Sequence, residues 1–298
     1  MTPPIEAVGT SGTVGDVRGT VLGGRYRLER PPGRGATSSV WLARDQPVHR
    51  AVAVKILDAA LAYDQQRVAG FRHEARLTGR LHHPHIVGGY GWGEAPRPYL
   101  VMRYIDGPSL GQILKRPYGF RGDPRALARN LLDALAWLHD RGLVHRDVSA
   151  GNVLIASDGS AWLTDFGLAW PHGVSRVRSV WVTGTLPYMA PEVRRGQPAT
   201  VRSDLYAAGV VIRECLGDKA DTSMSSLVSA LSASDPALRP ASARGASSLL
   251  DRPAPTVAPL SRRTRLRMAW PVAPIPEHEQ RGGALAQPAT EAFSAAVS

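Results

Sequence analysis

Cysteine is all but missing from this chain of 298 residues: Cys215 is the only one, so no disulfide can form within it. A lone cysteine inside an apolar stretch reads as a small core residue on a helix. No run of about eighteen apolar residues occurs, and the longest candidates, around Ala207–Ile212, are far too short to cross a bilayer. The first residues, Met1-Thr2-Pro3-Pro4-Ile5-Glu6, lack the basic and apolar regions of a signal peptide. Together these absences lead us to expect a cytoplasmic protein with no transmembrane segment. Acidic residues are also in deficit, 25 against 36 Lys and Arg, for a formal net charge of +11. That surplus invites a nucleic-acid reading, but no aromatic-interleaved groove or DNA-binding motif accompanies it. The arginines are scattered except for Arg262-Arg263-Thr264-Arg265-Leu266-Arg267, so no nucleic-acid partner is expected. Lysine is scarce as well: Lys55, Lys115 and Lys219 are the only three, and every other basic side chain is arginine.

The remaining composition is that of a globular protein, with 20% charged and 43% hydrophobic residues, and the length allows one large domain or two lobes. Residues 1–22 carry Gly, Thr, Pro and Val without periodicity and read as a flexible leader. From Arg25 short strand-like runs follow: Tyr26-Arg27-Leu28, Val40-Trp41-Leu42-Ala43 and Ala51–Leu57. A helix is expected over about 64–81, then strands at 86–92 and 98–104. Past Gly107-Pro108 the pattern becomes helical. Asp123 and Pro124 form an N-cap and first-turn pair ahead of the stripe Leu127, Leu131, Leu132, Leu135 and Leu138, in a helix that stops near Gly142. Further helices are expected at 204–216, 224–232 and 241–250. After Leu250 the composition turns to Pro, Ala, Arg and Ser, giving a coreless tail over 253–298. No internal repeat is present.

Chemistry concentrates in His145-Arg146-Asp147-Val148-Ser149-Ala150-Gly151-Asn152, with Asp165-Phe166-Gly167 soon after. Apolar runs between them (Val153-Leu154-Ile155 and Ala161-Trp162-Leu163) suggest a loop, a short hairpin and a second loop. That order would bring one carboxylate, Asp147, and two oxygen ligands for a hard cation, Asn152 and Asp165, to one cleft. Upstream, Gly33-Arg34-Gly35-Ala36-Thr37-Ser38-Ser39-Val40 lies between two expected strands. It reads either as a plain hairpin turn or as a loop whose backbone amides approach phosphates. Lys55 ends the run Val52-Ala53-Val54; in an arginine-rich chain a lysine here suggests a need for a compact ammonium that can lie between phosphates. Glu74, on the helix that follows, is its natural ion-pair partner, with Arg72 and Asp64 as lesser candidates for pairing nearby. The cluster His82-His83-Pro84-His85 has the wrong spacing for a helical histidine pair and no cysteine nearby, so no metal is assigned to it.

Taken in order, the glycine loop, Lys55, Glu74, the His145 loop, Asp165-Phe166-Gly167 and Ala190-Pro191-Glu192 resemble the eukaryotic-like serine/threonine protein kinases of bacteria. The resemblance runs from about Tyr26 to Leu250 and adds Asp204 and Arg239 as structural positions. It implies an α+β, two-lobed kinase-like fold: a small antiparallel β lobe with one helix over about 23–105 and a mostly helical lobe over about 106–252. It implies ATP and Mg²⁺ as cofactors, and protein serine or threonine hydroxyls as acceptors. By position, Asp147 would take the acceptor's proton, and Asn152 and Asp165 would hold Mg²⁺. Gly33, Gly35, Ser38, Val40, Ala53, Lys55, Glu74, Met102, Tyr104 and Leu154 would surround the nucleotide, with Met102 at the back of the adenine pocket and Arg103–Ile105 as hinge. Glu192 would pair with Arg239, and Asp204 would brace the His145 loop. Arg146 would gather a phosphate placed by autophosphorylation on Ser175, Ser179 or Thr183 of the activation loop, and Thr185 matches the threonine beside the catalytic aspartate.

Two departures stand out. The family's lysine two positions after the catalytic aspartate is Ser149 here, removing one cation beside the transferred phosphate. Barely twenty residues separate the helix at 204–216 from Arg239, so the substrate-docking side of the large lobe is expected to be trimmed. The alternatives are a pseudokinase-like nucleotide-binding scaffold and a small-molecule kinase; retention of Lys55, Asp147, Asn152 and Asp165 argues against the first, and Ala190-Pro191-Glu192 against the second. The oligomeric state is not indicated.

Overall fold

The structure is a computed structural model that describes residues 18–34, 37–171, 186–217 and 221–251. Gly35, the activation-loop residues Ser175, Ser179, Thr183 and Thr185, most of the leader and the tail lie outside the described residues.

The amino-terminal part folds as one sheet in which β-branched and aromatic runs pair with their chain neighbours. Its strands are β1 (Val21–Leu22), β2 (Tyr26–Arg34), β3 (Ser38–Asp45), β4 (Arg50–Leu57), β5 (Gly89–Gly93) and β6 (Tyr99–Arg103), in the order β1-β2-β3-β4-β6-β5. All the pairings are antiparallel. The expected leader therefore ends earlier than 22: Val21 and Leu22 pair with Arg27 and Tyr26, because Leu22 is buried against Tyr26 and Leu28. The glycine loop is also shorter than its sequence span, since Gly33 pairs with Val40 and Arg34 with Ser39 after register shifts in β2. One face of the sheet closes over Trp41, Ala43, Val52, Val54 and Val101. The other receives α1 (Gln65–Thr78), whose Phe71 and Ala75 pack with Leu57, Val87, Leu100 and Met102. Asp64 caps α1 by accepting from the Gln66 and Arg67 amides at 2.9 and 3.3 Å, and Arg72 pairs with Glu94. Both lesser candidates for pairing are thereby occupied elsewhere.

The carboxy-terminal part is built on α3 (Pro124–His139), capped by Asp123 with Pro124 in its first turn. Its leucines 127, 131, 132, 135 and 138 are all fully buried; burying each stabilises by roughly 1.5–3 kcal/mol. Around it pack α2 (Leu110–Leu114), α4 (Pro191–Arg194), α5 (Val201–Leu216), α6 (Thr222–Leu231) and α7 (Ala243–Ser247). Short strands β7 (Leu143–Val144), β8 (Val153–Ile155), β9 (Ala161–Leu163) and β10 (Trp170–Pro171) form two antiparallel pairs, the hairpin β8–β9 and, enclosing it in the chain, β7 with β10. Among the described residues, the stretch from α5 to Arg239 holds α6 and one 3-10 turn, Pro236–Leu238. Cys215 is buried on α5, and burial pushes its thiol up to about 12. The His82–His85 segment acts as a tie to the helical part: His83 meets Asp133 at 3.2 Å, and His85 meets Asn130 at 3.1 Å and the Ala161 carbonyl at 3.1 Å.

Glu192 and Arg239 make a two-pronged pair at 2.7 and 2.8 Å, with Arg239 also donating to the carbonyls of Ala233, Ser234 and Arg202. Burial alone would push the Glu192 carboxyl up; the Arg239 hydrogen bonds reverse this and hold it below the usual glutamate range. Its contribution is therefore complete above the ordinary glutamate value, about 4.3, and is lost as pH falls through the lower folded value. Arg239→Ala leaves a buried carboxylate without its partner, and urea denaturation at neutral pH should show a loss of about 3–5 kcal/mol.

Candidate active site

Lys55 projects from β4 into a nearly dry position, its side chain 11% exposed, and donates to Glu74 Oε1 at 2.6 Å and Asp165 Oδ1 at 3.2 Å. Three separate elements thus converge on one ammonium: β4, α1 and the segment after β9. Burial alone would push this lysine down, but the two carboxylates outweigh burial and raise it, so it stays charged. The same charge, with the Gly167 amide, pulls the Asp165 carboxyl down against the effect of its own burial.

The other half of the site is the loop between β7 and β8. His145 and Arg146 donate their backbone amides to Asp204 of α5, both at 2.8 Å, and His139 meets the same carboxylate at 2.9 Å. This holds Arg146 at φ 69°, a conformation that costs a non-glycine residue of order 1–3 kcal/mol. The Asp147 amide donates to His145 Nδ1 at 3.2 Å, so the imidazole proton sits on Nε2, which faces the Thr164 carbonyl at 3.2 Å. Asn152 donates its side-chain amide to the Asp147 backbone carbonyl at 2.8 Å and to Asp147 Oδ2 at 2.9 Å, fixing the carboxylate's direction. Asp165, at φ 64°, follows Thr164, whose amide donates to the Asn152 carbonyl at 2.9 Å. Phe166 is buried edge-on against His145, ring centroids 5.0 Å apart. Ser149 is buried and extended at the start of the 3-10 turn Ala150–Asn152, its carbonyl accepting from the Asn152 amide at 3.0 Å.

Between the two halves lies an apolar cluster. Ala53 faces Met102 across β4 and β6, and both pack with Leu154 of β8 in one cluster. Val40 pairs with Lys55, and Ser38, two residues earlier on β3, is buried. Tyr104 is half-buried past β6, its hydroxyl 3.3 Å from Asp106. The structure therefore brings together Lys55, Glu74 and Asp165, and separately Asp147 with Asn152, and gathers Ala53, Met102 and Leu154.

Three contacts were not read from the sequence. Arg103, in the expected hinge, lays its guanidinium 4.4 Å over the Trp162 ring and ties β6 to β9. Gly111 lets α2 approach the Ala150–Gly151 backbone: a Cβ there would lie 3.3 Å from the Gly151 nitrogen. Gly107 lies so close to β8 that a Cβ would sit 1.8 Å from the Ile155 carbonyl oxygen. Gly-Pro in a sequence signals a turn; nothing local signals which strand it will touch.

A paired lysine on a sheet, a carboxylate held by an asparagine amide, and an aspartate beside a glycine are the geometry of a phosphoryl-transfer site. The family model for the protein kinase domain matches residues 26–240, and the chain belongs to that family. Its relatives include the probable serine/threonine-protein kinase PknB of Bifidobacterium longum, 38% identical over 210 residues, 66% of this chain and 30% of that protein. Serine/threonine-protein kinase PknA of Mycobacterium tuberculosis is 39% identical over 215 residues, 67% of this chain and 48% of the relative. PknB of the same organism is 40% identical over 205 residues, 65% and 33%. The chain spans less than half the length of these curated relatives. Among the described residues, no helix is long and apolar enough to cross a membrane.

Gly107→Ala forces the segment after β6 away from β8. With the fold intact by far-ultraviolet circular dichroism, titration with a fluorescent ATP analogue should show affinity reduced by at least about tenfold, or ~1.4 kcal/mol.

Proposed function

We propose that the chain is an ATP- and Mg²⁺-dependent serine/threonine protein kinase that transfers the γ-phosphate to protein hydroxyls in the cytoplasm. The observation that carries this reading is the assembled Lys55–Glu74–Asp165 cluster alongside Asp147 and Asn152. In it, Lys55 binds the α- and β-phosphates as a compact cation whose position Glu74 fixes. Val40, Ala53, Met102, Tyr104 and Leu154 hold the adenine, and the backbone of Gly33, Gly35 and Ser38 covers the phosphates. Asp147, aimed by Asn152, orients the acceptor hydroxyl. As the oxygen bonds to the γ-phosphorus and the bond to the leaving ADP oxygen breaks, the hydroxyl proton passes to Asp147.

The Asn152 amide oxygen and the Asp165 carboxylate are the hard oxygen donors that suit Mg²⁺. When bound, the ion neutralises charge on the phosphates. Arg146, Ser175, Ser179, Thr183 and Thr185 remain the proposed activation-loop machinery, with Thr183 or Ser179 as preferred autophosphorylation sites. Residues 23–252, extended by β1 at Val21–Leu22, form the proposed catalytic domain, with the residues before β1 as leader and 253–298 as tail. The relatives' names support a serine/threonine acceptor.

Transfer of radiolabel from ATP to a generic protein substrate tests this. Asp147→Asn and Lys55→Met should each lower the rate by roughly 100-fold or more. Equal signal from wild type and both variants would sink the reading. In the same assay Ser149→Lys, which restores a cation beside the transferred phosphate, should be about tenfold faster than wild type.

A further inference from the structure

The short helix α2 sits directly on the catalytic loop through the Gly111–Gly151 approach, and a backbone bridge joins Ser109 to Leu154. Lys115, still in helical conformation at φ −76° and ψ −11°, follows Gly111 by one turn and so lies on its face of the helix. From there the chain runs Arg116-Pro117-Tyr118-Gly119-Phe120-Arg121, and no acidic residue occurs between Asp106 and Asp123. Lys115, Arg116, Tyr118 and Arg121 are exposed. Their shape is set by the fold. Gly119 adopts φ 56° and donates to the Arg116 carbonyl at 3.0 Å, Phe120 packs on the large hydrophobic core, and the Arg121 guanidinium lies 4.3 Å from the Tyr118 ring centroid.

The contrast with neighbouring arginines is sharp. Arg125 pairs with Asp221 and Arg129 with Asp251, each at 2.8 Å, and Arg244 pairs with Asp140. Among the described residues no carboxylate lies within ion-pair distance of Lys115, Arg116 or Arg121. The catalytic loop offers no counter-charge at the rim either: from Asp147 to Asn152 the only acid is Asp147, and the position before Asn152 is the exposed Gly151. A basic shelf of fixed shape, without its own anions, therefore adjoins the catalytic loop that carries Asp147.

We propose that this shelf selects acceptors whose hydroxyl is flanked by acidic side chains, with Lys115, Arg116 and Arg121 as specificity-determining residues. The inference rests on the protein-kinase reading and names the substrate class of that site. Solvent-exposed ion pairs contribute modestly, about 0.2–1 kcal/mol each, so the preference is cumulative over several acidic positions.

Three peptides with one serine or threonine, flanked by Asp and Glu, by Ser and Gln, or by Arg and Lys, test it with the full chain. The acidic peptide should have the lowest KM. The triple variant Lys115→Glu, Arg116→Glu, Arg121→Glu should raise that KM by about fivefold or more while leaving kcat and the KM for ATP unchanged, and added salt should erase the difference. Equal KM for all three peptides in an active enzyme overturns the acidic preference and leaves the kinase reading standing; no transfer to any peptide overturns both. Capture of the chain by anionic vesicles, lost in the triple variant while peptide preference is unaltered, overturns the assignment and gives the shelf to a membrane surface instead.

Discussion

An ammonium placed where water barely reaches must be matched by charge, and Lys55 is matched twice. Glu74 comes from a helix, Asp165 from the segment after a hairpin in the other half of the molecule, and β4 supplies the lysine itself. Removing Lys55 leaves the Glu74 carboxylate buried without its counter-charge, which costs several kcal/mol. The cluster therefore does more than place a cation. It makes the position of α1 and the conformation of Asp165 depend on each other through a single hydrogen-bonding group. Its formal sum is one negative charge, and a divalent cation held there would turn that sum positive and so favour phosphates.

A second carboxylate performs the matching task on the helical side. Asp204 carries no substrate, yet it accepts two consecutive backbone amides and a histidine. Those bonds sustain the left-handed Arg146, and the strained turn aims Asp147 and presents His145 to Phe166. From α5 the order of dependence runs through Asp204 to the loop, through His145 to Thr164, and so to Asp165, where the two anchors meet. Because each link is a directed hydrogen bond between groups with little freedom, the geometry is established before any ligand arrives. That is how a scaffold lowers the cost of positioning in phosphoryl transfer.

What was readable from the sequence follows from the kind of signal each feature leaves. Lys55 was conspicuous because the chain otherwise uses arginine for nearly every positive charge, and the Asp147–Asn152 spacing confines both side chains to one turn. The leucine stripe of α3, with Asp123 and Pro124 at its start, fixed the beginning of that helix to the residue, while its end at His139 falls short of Gly142. Helix ends and the β1 strand were less legible: α1 closes at Thr78 and α7 at Ser247, both short of expectation, because fraying ends are decided by tertiary contacts. Gly107, Gly111 and the Arg103–Trp162 stack left no trace, since each is a contact between backbones or side chains distant along the chain. A glycine that admits a neighbouring strand looks, in sequence, like a glycine that makes a turn.

The charge distribution bears on the missing lysine at 149. Much of the acidic complement is already used, as helix caps at Asp64, Asp123, Asp221 and Asp235 and as partners for Arg25, Arg125, Arg129, Arg239 and Arg244. The surplus of basic charge is left facing solvent, around the α2 shelf among other places. It cannot replace a cation at the transferred phosphate. At physiological ionic strength charges in solvent are screened over about 8 Å, whereas the absent ammonium would act at contact distance in a site of low effective dielectric. Compensation must therefore come from inside the cleft, and among the described residues the cation already fixed there is Lys55, committed to Glu74 and Asp165. Ser149 can contribute a hydroxyl hydrogen bond but no charge, so in the proposed reaction the remaining burden would fall on the divalent ion that Asn152 and Asp165 would hold. In the proposed reaction the chain would depend more heavily on a divalent ion than a kinase that retains the lysine.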